Sequence, residues 1–150
     1  MTKQGDADGM EVFGFFNEVG IINQLSTAML AQCLPDGVHP SHFAIINHLV
    51  RMGDGKSPVR IAAAMQVTKN TMTHSLRVLT EHHYITVEPD PDDGRAKIVR
   101  LTEQGRAFRE TAIRNVLARF DDVIAPEHRA IMARIKNDLA VLRKHLDDNR

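Results

Sequence analysis

The spacing of apolar residues predicts long helices at both ends of the chain. From Val12 to Leu34, apolar residues recur every three or four positions, which is the period of a helix. Apolar residues also lie on other faces of this segment, so the helix has to be covered on more than one side. Thr102 is predicted to cap a second long helix that ends near Ile124, and Pro126 to begin a last helix. The last helix has a near-heptad apolar pattern, which suits a packed pair of helices.

The middle of the chain predicts shorter elements joined by turns. Thr68 is a good N-cap for a helix, because its hydroxyl can accept a backbone N–H two or three residues further on. An Asp-Gly pair within residues 90–96 is typical of the turn of a β-hairpin. In chain order the pattern predicts a helix over 39–52 capped by His39 or Ser41, a short strand over 57–59, a helix over 60–66, a helix over 69–83, and strands over 84–89 and 97–101.

A short helix, a tight turn and a helix with a polar outer face form a helix-turn-helix, and the hairpin that follows is a wing. At about 100° per residue, Met72, Leu76 and Leu79 share one face of the second helix. The opposite face carries side chains that can bind base edges or phosphates: Asn70, Thr73, His74 and Arg77.

Composition and charge narrow the class of protein. The 150 residues are 43% apolar and 25% charged, as in a soluble globular domain. The net charge is zero, yet residues 56–80 contain no Asp or Glu, so the local field there should be positive. The polar residues 1–10 are predicted to be a flexible tail. We expect neither a secretory signal nor a membrane span, because the first residues lack the charged-then-apolar pattern of a signal and no apolar run reaches about 18 residues. The single cysteine fits a cytoplasmic protein.

The order of elements resembles the MarR (multiple antibiotic resistance regulator) family of bacterial transcription factors. The resemblance is carried by "VTKNTMTHSLRVLTEHHYI" followed by "DPDDGRAKIVRLTEQG", and extends over residues 12–146. Its most specific part is the wing, in which an aspartate and an arginine two residues later precede a strand that runs into Leu-Thr and a glycine. In this chain these residues are Asp93, Arg95, Leu101, Thr102 and Gly105.

The resemblance implies a winged helix-turn-helix, mainly α with a small β-hairpin wing, that forms a homodimer through its N- and C-terminal helices. Residues 11–150 would be a single MarR-like domain, with dimerisation helices over 11–34 and 102–150 and the DNA-binding lobe over 38–101. By analogy, Arg95 enters the minor groove and Asp93 holds it in place, for which we expect a bidentate pair. Two positions depart from the family: Gln66 and His83 stand where glycine is common, so each would need left-handed backbone geometry or a different turn.

The function predicted on this basis is a ligand-responsive, sequence-specific repressor that binds a pseudo-palindromic DNA operator as a homodimer. A small apolar or aromatic effector is carried over from the family. The candidate DNA-binding residues are Lys56, Arg60, Lys69, Asn70, Thr71, Thr73, His74, Arg77, Asp93, Arg95 and Lys97. The rival hypothesis is a ligand-binding or protein-interaction module with a degenerate winged helix. It would bind DNA weakly, without sequence preference, and without dependence on Arg77 or Arg95.

Other signals favour no catalytic or metal chemistry. "GDGKS" at 53–57 lacks the earlier glycine of a phosphate-binding loop. The histidines near 39–42 and 82–83 are interpreted as cap or surface residues rather than metal ligands, because zinc sites usually need three or four ligands. Cys33 has no basic residue close in sequence and is predicted to be an unreactive thiol. No motif of a hydrolase, metalloprotease or redox enzyme occurs, so we predict neither enzyme activity nor a cofactor.

Overall fold

The computed structural model describes the backbone of residues 3–149 and the side chains of residues 7–149. This part of the chain forms six helices and one antiparallel pair of strands. The expectation of a mainly helical protein with a small hairpin is confirmed. In chain order the elements are α1 (Lys3–Ala31), α2 (Pro40–Met52), α3 (Pro58–Ala64), α4 (Lys69–Glu81), β1 (Ile85–Pro89), β2 (Lys97–Leu101), α5 (Glu103–Val123) and α6 (Pro126–Asp148).

The first of two compact units ends at residue 116 and contains the hydrophobic core. Helices α2, α3 and α4 and both strands each contribute aliphatic side chains that are almost completely buried. Burial of each such side chain is worth about 1.5–3 kcal/mol, so α4 is held firmly by one face while its other face stays free. The largest of these side chains are Ile46, Leu49, Ile61, Met72, Leu79, Ile85 and Val99.

Helices α1 and α6 keep most of their apolar side chains exposed. In α1, which belongs to the first unit, Phe13 is 65% exposed and Leu25 is 62% exposed. The second unit, residues 117–150, contains α6, and none of the described residues of α6 is buried. Its exposed stripe consists of Ile131, Ile135, Leu139, Leu142 and Leu146. Apolar stripes of this length are usually covered by another surface.

The N-terminal boundary of α1 differs from the prediction. The helix begins at Lys3, so the flexible tail predicted for residues 1–10 is wrong for residues 3–10, and residues 1–2 lie outside the described part. In this stretch Gly5 and Gly9 disfavour a helix by about 1 kcal/mol each. Extending an existing helix adds one hydrogen bond per residue without a new nucleation cost, and this allows the polar residues to join α1.

The strand predicted over residues 57–59 is also wrong, because these residues begin a helix. Ser57 is the N-cap of α3, and its hydroxyl accepts the N–H of Arg60 at 3.4 Å. Pro58 follows at the first helical position, where its missing N–H costs nothing. The strand-like contact lies one residue earlier, at Lys56, which forms an isolated antiparallel bridge with Val99 of β2.

Two predicted caps are confirmed, and at two positions where the family commonly has glycine the backbone is left-handed. The hydroxyl of Thr68 accepts the N–H of Thr71 at 3.2 Å, and the hydroxyl of Thr102 accepts the N–H of Gly105 at 2.9 Å. Gln66 has a φ of 53° and His83 a φ of 59°. Both non-glycine residues therefore adopt the left-handed geometry that ends a helix, and each turn keeps the shape that a glycine would give it.

His42 joins the first turn of α2 to its N-cap and is buried. The Nδ1 atom of His42 accepts the backbone N–H of His39 at 3.0 Å, while Nδ1 of His39 accepts the N–H of Ser41 at 3.2 Å. These bonds satisfy backbone donors that a helix start leaves free. A protonated imidazole has no lone pair on Nδ1, so the cap requires a neutral His42.

The stability of the protein is expected to fall as the pH drops below about 6.5, the ordinary pKa of histidine. Burial lowers the pKa of His42, and the neighbouring His39, His74 and His82 lower that pKa further. The unfolded chain therefore takes up this proton at a higher pH than the folded chain. The stabilisation that depends on neutral His42 is fully present above the pKa of the unfolded chain. Below that pKa the free energy of unfolding falls, by at most about 1.4 kcal/mol per pH unit.

Urea unfolding between about pH 5 and pH 8 measures this slope. His42→Gln keeps a side-chain acceptor at the capping position but cannot be protonated, so the slope should become shallower. The remaining slope would include His48, since burial and the charges of Lys56 and Arg51 lower the pKa of His48 as well. A slope equal to that of the unchanged protein would contradict the role given to His42.

Candidate nucleic-acid interface

The outer face of α4 is a polar stripe that the core packing leaves in solvent. Met72, Leu76 and Leu79 are buried, as predicted. Asn70, His74 and Arg77 are exposed on the opposite side, where helical spacing aligns them. The same spacing adds Glu81, which is also exposed. The sequence analysis missed Glu81 because it considered only the acid-free segment, which ends at residue 80. The i, i+4 spacing between Arg77 and Glu81 could have predicted a contact between the two side chains.

Arg77 is engaged with two other residues of this stripe. Its Nη1 donates to Oε1 of Glu81 at 2.6 Å, and its Nη2 lies 3.4 Å from Nδ1 of His74. Arginine can only donate, so Nδ1 of His74 is the acceptor in this contact. The stripe therefore presents a guanidinium whose orientation is restrained by its two neighbours.

The two threonines predicted in the interface already use their hydroxyl groups within the helix. Oγ1 of Thr73 donates to the backbone oxygen of Lys69 at 2.9 Å. Oγ1 of Thr71 lies 2.9 Å from Oγ1 of Thr68, the N-cap. The hydroxyl proton of Thr73 is thus not available to a base, whereas its methyl group is.

The wing is a regular hairpin with an ordered turn. Strands β1 and β2 pair from Ile85 opposite Leu101 to Pro89 opposite Lys97. In the turn, the N–H of Ala96 donates to the backbone oxygen of Asp93 at 2.8 Å. These contacts place the exposed Arg95 side chain at the tip of the hairpin, with Lys97 two residues further along.

The predicted bidentate pair between Asp93 and Arg95 is not formed. Oδ1 of Asp93 instead accepts the backbone N–H of Arg95 at 3.1 Å. Among the side chains of residues 7–149, no ion pair joins this carboxylate to the Arg95 guanidinium. In a tight turn, an aspartate side chain is well placed to accept the backbone N–H of the residue two positions later. This local hydrogen bond is therefore formed in place of the ion pair between the two side chains.

Asp54 anchors the base of the wing and was missed from the sequence. Its Oδ2 accepts the N–H of Leu101 at 2.9 Å, although 47 positions separate the two residues. Beside it, the N–H of Gly55 donates to the backbone oxygen of Val99 at 2.8 Å, and the N–H of Val99 to that of Lys56 at 2.9 Å. The α2–α3 loop and β2 are thereby tied together, and Lys56 is half-buried next to the wing.

The remaining candidates are dispersed over the first unit. Arg60 on α3 and Lys69 at the start of α4 are exposed. Within the described residues, no hydrogen bond or ion pair joins α4 to the wing turn, so the structure presents two separate surfaces, a helix face and a hairpin tip. A double helix offers a wide and a narrow groove to two such surfaces.

The other chemical candidates show no sign of a site. Within residues 7–149, no group of three or more His, Cys, Asp or Glu side chains is arranged to hold a metal ion. Cys33 is a free, half-buried thiol. No helix in the described part of the chain combines the length and the apolar character needed to cross a membrane.

Comparisons with known proteins agree with this geometry. The family of winged helix DNA-binding domains matches residues 38–105. No curated protein is similar enough in sequence to match this chain. Among solved structures, a cysteine-to-serine mutant of MarR from E. coli complexed with operator DNA is 19% identical, with a TM-score of 0.63 over 86% of this chain and 95% of that one.

Two further solved structures extend the likeness. A MarR-family transcriptional regulator from Rhodococcus sp. is 19% identical, with a TM-score of 0.69 over 89% of this chain and 93% of that one. CouR from Rhodococcus jostii, bound to p-coumaroyl-CoA, is 20% identical, with a TM-score of 0.65 over 87% of this chain and 90% of that one.

The chain has the MarR fold. The resemblance found in the sequence is thus confirmed at the level of the fold, and residues 38–105 match the family of winged helix DNA-binding domains. In the terms of the MarR fold, α3 and α4 are the helix-turn-helix, and β1 and β2 are the wing. Two solved neighbours, one from Thermotoga maritima and the one from Rhodococcus sp., are named as transcriptional regulators.

Proposed function

We propose that the protein is a MarR-type transcriptional regulator that binds a pseudo-palindromic operator as a homodimer. Two copies of α4 enter successive major grooves, with half-sites about one helical turn apart. The wing places Arg95 in the flanking minor groove, which is narrow and strongly negative. Contacts to the phosphate backbone make the affinity fall steeply with salt, and come from Lys56, Arg60, Lys69 and Lys97.

The observation that carries this proposal is the free outer face of α4. A helix buried on one side by Met72, Leu76 and Leu79 presents Asn70 and Arg77 on the other. Asparagine can bond adenine in bidentate fashion, and arginine guanine. The surrounding segment carries basic residues without acids from residue 56 to residue 80, which favours approach to phosphates.

Asp93 contributes indirectly in this scheme. Its carboxylate accepts the backbone N–H of Arg95 and shapes the turn. A turn that is already ordered loses less conformational entropy when the arginine enters the groove. The role proposed for Asp93 is therefore to position the backbone of Arg95 rather than its guanidinium.

Selection of bound sequences from random duplex DNA at physiological salt tests the proposal. A palindromic consensus that loses its preference at one base pair of each half-site with Arg77→Ala supports it. Weak binding without sequence preference, unchanged by Arg77→Ala and Arg95→Ala, would instead identify a ligand-binding or protein-interaction module with a degenerate winged helix.

Dimerisation is proposed from the exposed apolar side chains of α1 and α6. Pairing of these helices with those of a second copy would cover stripes such as the one that includes Leu139 and Leu142. Sedimentation equilibrium should then give about twice the chain mass of 16.8 kDa. A monomer at micromolar concentration would exclude the symmetric operator.

We further propose that the regulator is a repressor released by a small apolar or aromatic effector. An effector shifts DNA binding only by its different affinity for the two conformations. The bound ligand of CouR, p-coumaroyl-CoA, is a reasonable first probe. Fluorescence anisotropy of the operator complex, with and without probe, and a promoter reporter test release and repression separately.

Thr73 is expected to contact DNA through its methyl group, because its hydroxyl proton is used by the backbone oxygen of Lys69. Thr73→Val keeps the methyl and should retain operator affinity. Thr73→Ser removes the methyl and should weaken binding about fourfold, the equivalent of about 0.8 kcal/mol. Deoxyuridine in place of the contacted thymine should weaken the wild type but not Thr73→Ser, as measured by competition binding. If Thr73→Val is the weaker variant, the hydroxyl is the contact.

A further inference from the structure

Glu81 is an acidic residue on a face that is proposed to meet DNA. It continues the stripe of Asn70, His74 and Arg77, and it is the first acid after the acid-free segment. We propose that Glu81 is a positioning residue that holds Arg77 for one base pair and thereby sets sequence specificity. The inference rests on the proposed function and assigns a role to a side chain that the candidate site did not include.

Helix stability does not account for an acid at this position. Glu81 is the last residue of α4, where the negative end of the helix dipole opposes a carboxylate. The order of the pair, arginine first and acid four residues later, is the weaker of the two orientations. The side chains of Arg77 and Glu81 are 60% and 57% exposed, so their attraction is largely screened in the free protein.

The pair becomes important when the face approaches DNA. An unrestrained arginine can bind any nearby phosphate, and this adds affinity without sequence information. Glu81 accepts from Nη1 of Arg77, and His74 lies against Nη2, so the plane of the guanidinium is constrained from two sides. A guanidinium has five N–H donors, and the donors that remain can form the planar pair with guanine O6 and N7.

The carboxylate also acts against wrong sequences. The negative charge of Glu81 is repelled by nearby DNA phosphates, and this unfavourable energy is the same for every DNA sequence. Only a base pair that hydrogen-bonds to the positioned Arg77 offsets this repulsion. That contact is favourable because the Arg77 side chain is already restrained and loses little further entropy on binding. Glu81 should therefore lower binding to random DNA while preserving binding to the operator.

Competition binding with every single base-pair change in the selected operator tests this inference. Arg77→Ala and Glu81→Gln should relax the preference at the same base pair, Glu81→Gln by about tenfold, within the range that a bidentate pair provides. Glu81→Gln should also bind random duplex more tightly. In the double variant the preference should equal that of Arg77→Ala alone, since Glu81 acts through Arg77. Glu81→Asp, which keeps the carboxylate, should restore part of the preference.

Glu110→Gln is the matched control, because Glu110 is exposed on α5 and the charge change is the same. It should leave the base preferences unchanged. The inference is overturned if Glu81→Gln keeps the full base preference. It is also overturned if Glu81→Gln weakens the preference at a different base pair and does so in the Arg77→Ala background as well. In that case Glu81 itself contacts a base, for example by accepting from N4 of cytosine. If the wild type shows no base preference at all, the proposed function fails first. If the wild type and Arg77→Ala behave as expected while Glu81→Gln has no effect, only the role of Glu81 fails.

Discussion

Gly105→Ala is expected to lower the free energy of unfolding by about 3 kcal/mol or more. A Cβ at this position would overlap the carbonyl oxygen of Tyr84 and lie 2.9 Å from its carbonyl carbon. Both are backbone atoms, so no side-chain rotation relieves the clash. The same carbonyl accepts the N–H of Thr102 at 3.2 Å, and Thr102 in turn caps α5 through Gly105. Making room for the methyl group therefore disrupts the hydrogen bonds that connect the start of β1 to the start of α5.

Thermal unfolding measures this effect, with an expected fall in Tm of about 6–12 °C for a protein of this size. Gly94→Ala is the control. No atom lies within 4 Å of a Cβ at Gly94, and the backbone there has no left-handed geometry, so its stability should stay within about 0.5 kcal/mol of the wild type. Equal Tm values for the two variants would show that the backbone near Tyr84 and Gly105 can shift with little loss of stability.

Arg95→Ala is expected to reduce operator affinity by about 1–3 kcal/mol, which corresponds to a loss of roughly 5-fold to 160-fold. The side chain lies exposed at the tip of a hairpin whose turn is already ordered by Asp93. Narrow minor grooves at A·T-rich steps concentrate negative potential and attract arginine strongly. The loss should therefore be largest for operators with A·T-rich flanks, and smaller for G·C-rich flanks.

Lys97→Ala separates this effect from simple phosphate binding. Lys97 is on the same wing, and its ammonium is expected to contact the backbone only. The variant should weaken binding to all sequences alike and reduce the slope of log K against log salt by about 1. Binding isotherms on both flank types at several salt concentrations distinguish the two. If Arg95→Ala shows the same uniform loss as Lys97→Ala, then Arg95 does not read the minor groove.

The local elements of the fold could be predicted because they depend on near neighbours in the chain. A hydroxyl at Thr68 or Thr102 needs only the next three residues to cap a helix, and both caps are formed. The apolar spacing of Met72, Leu76 and Leu79 decides which face of α4 is buried, and hence which face is free. The helix start at Ser57 was the local signal read incorrectly, since Val59 after the proline was interpreted as part of a strand.

The contacts that position the wing could not be predicted in this way. Asp54 and Leu101 are far apart in sequence, and only the packing of α2 and α3 against β2 brings them within hydrogen-bond distance. The same holds for the close approach of Gly105 to Tyr84, which gives the glycine of the Leu-Thr-Gly motif a physical reason.

The sequence by itself determined the order of the helices, the caps at Thr68 and Thr102, the hairpin and the polar face of α4, since periodicity and capping act over a few residues. Only the tertiary structure decided that Asp54 holds the wing and that Gly105 lies against the backbone of Tyr84. These choices depend on which competing partner is nearest once every element is packed, and one-dimensional spacing does not contain those distances.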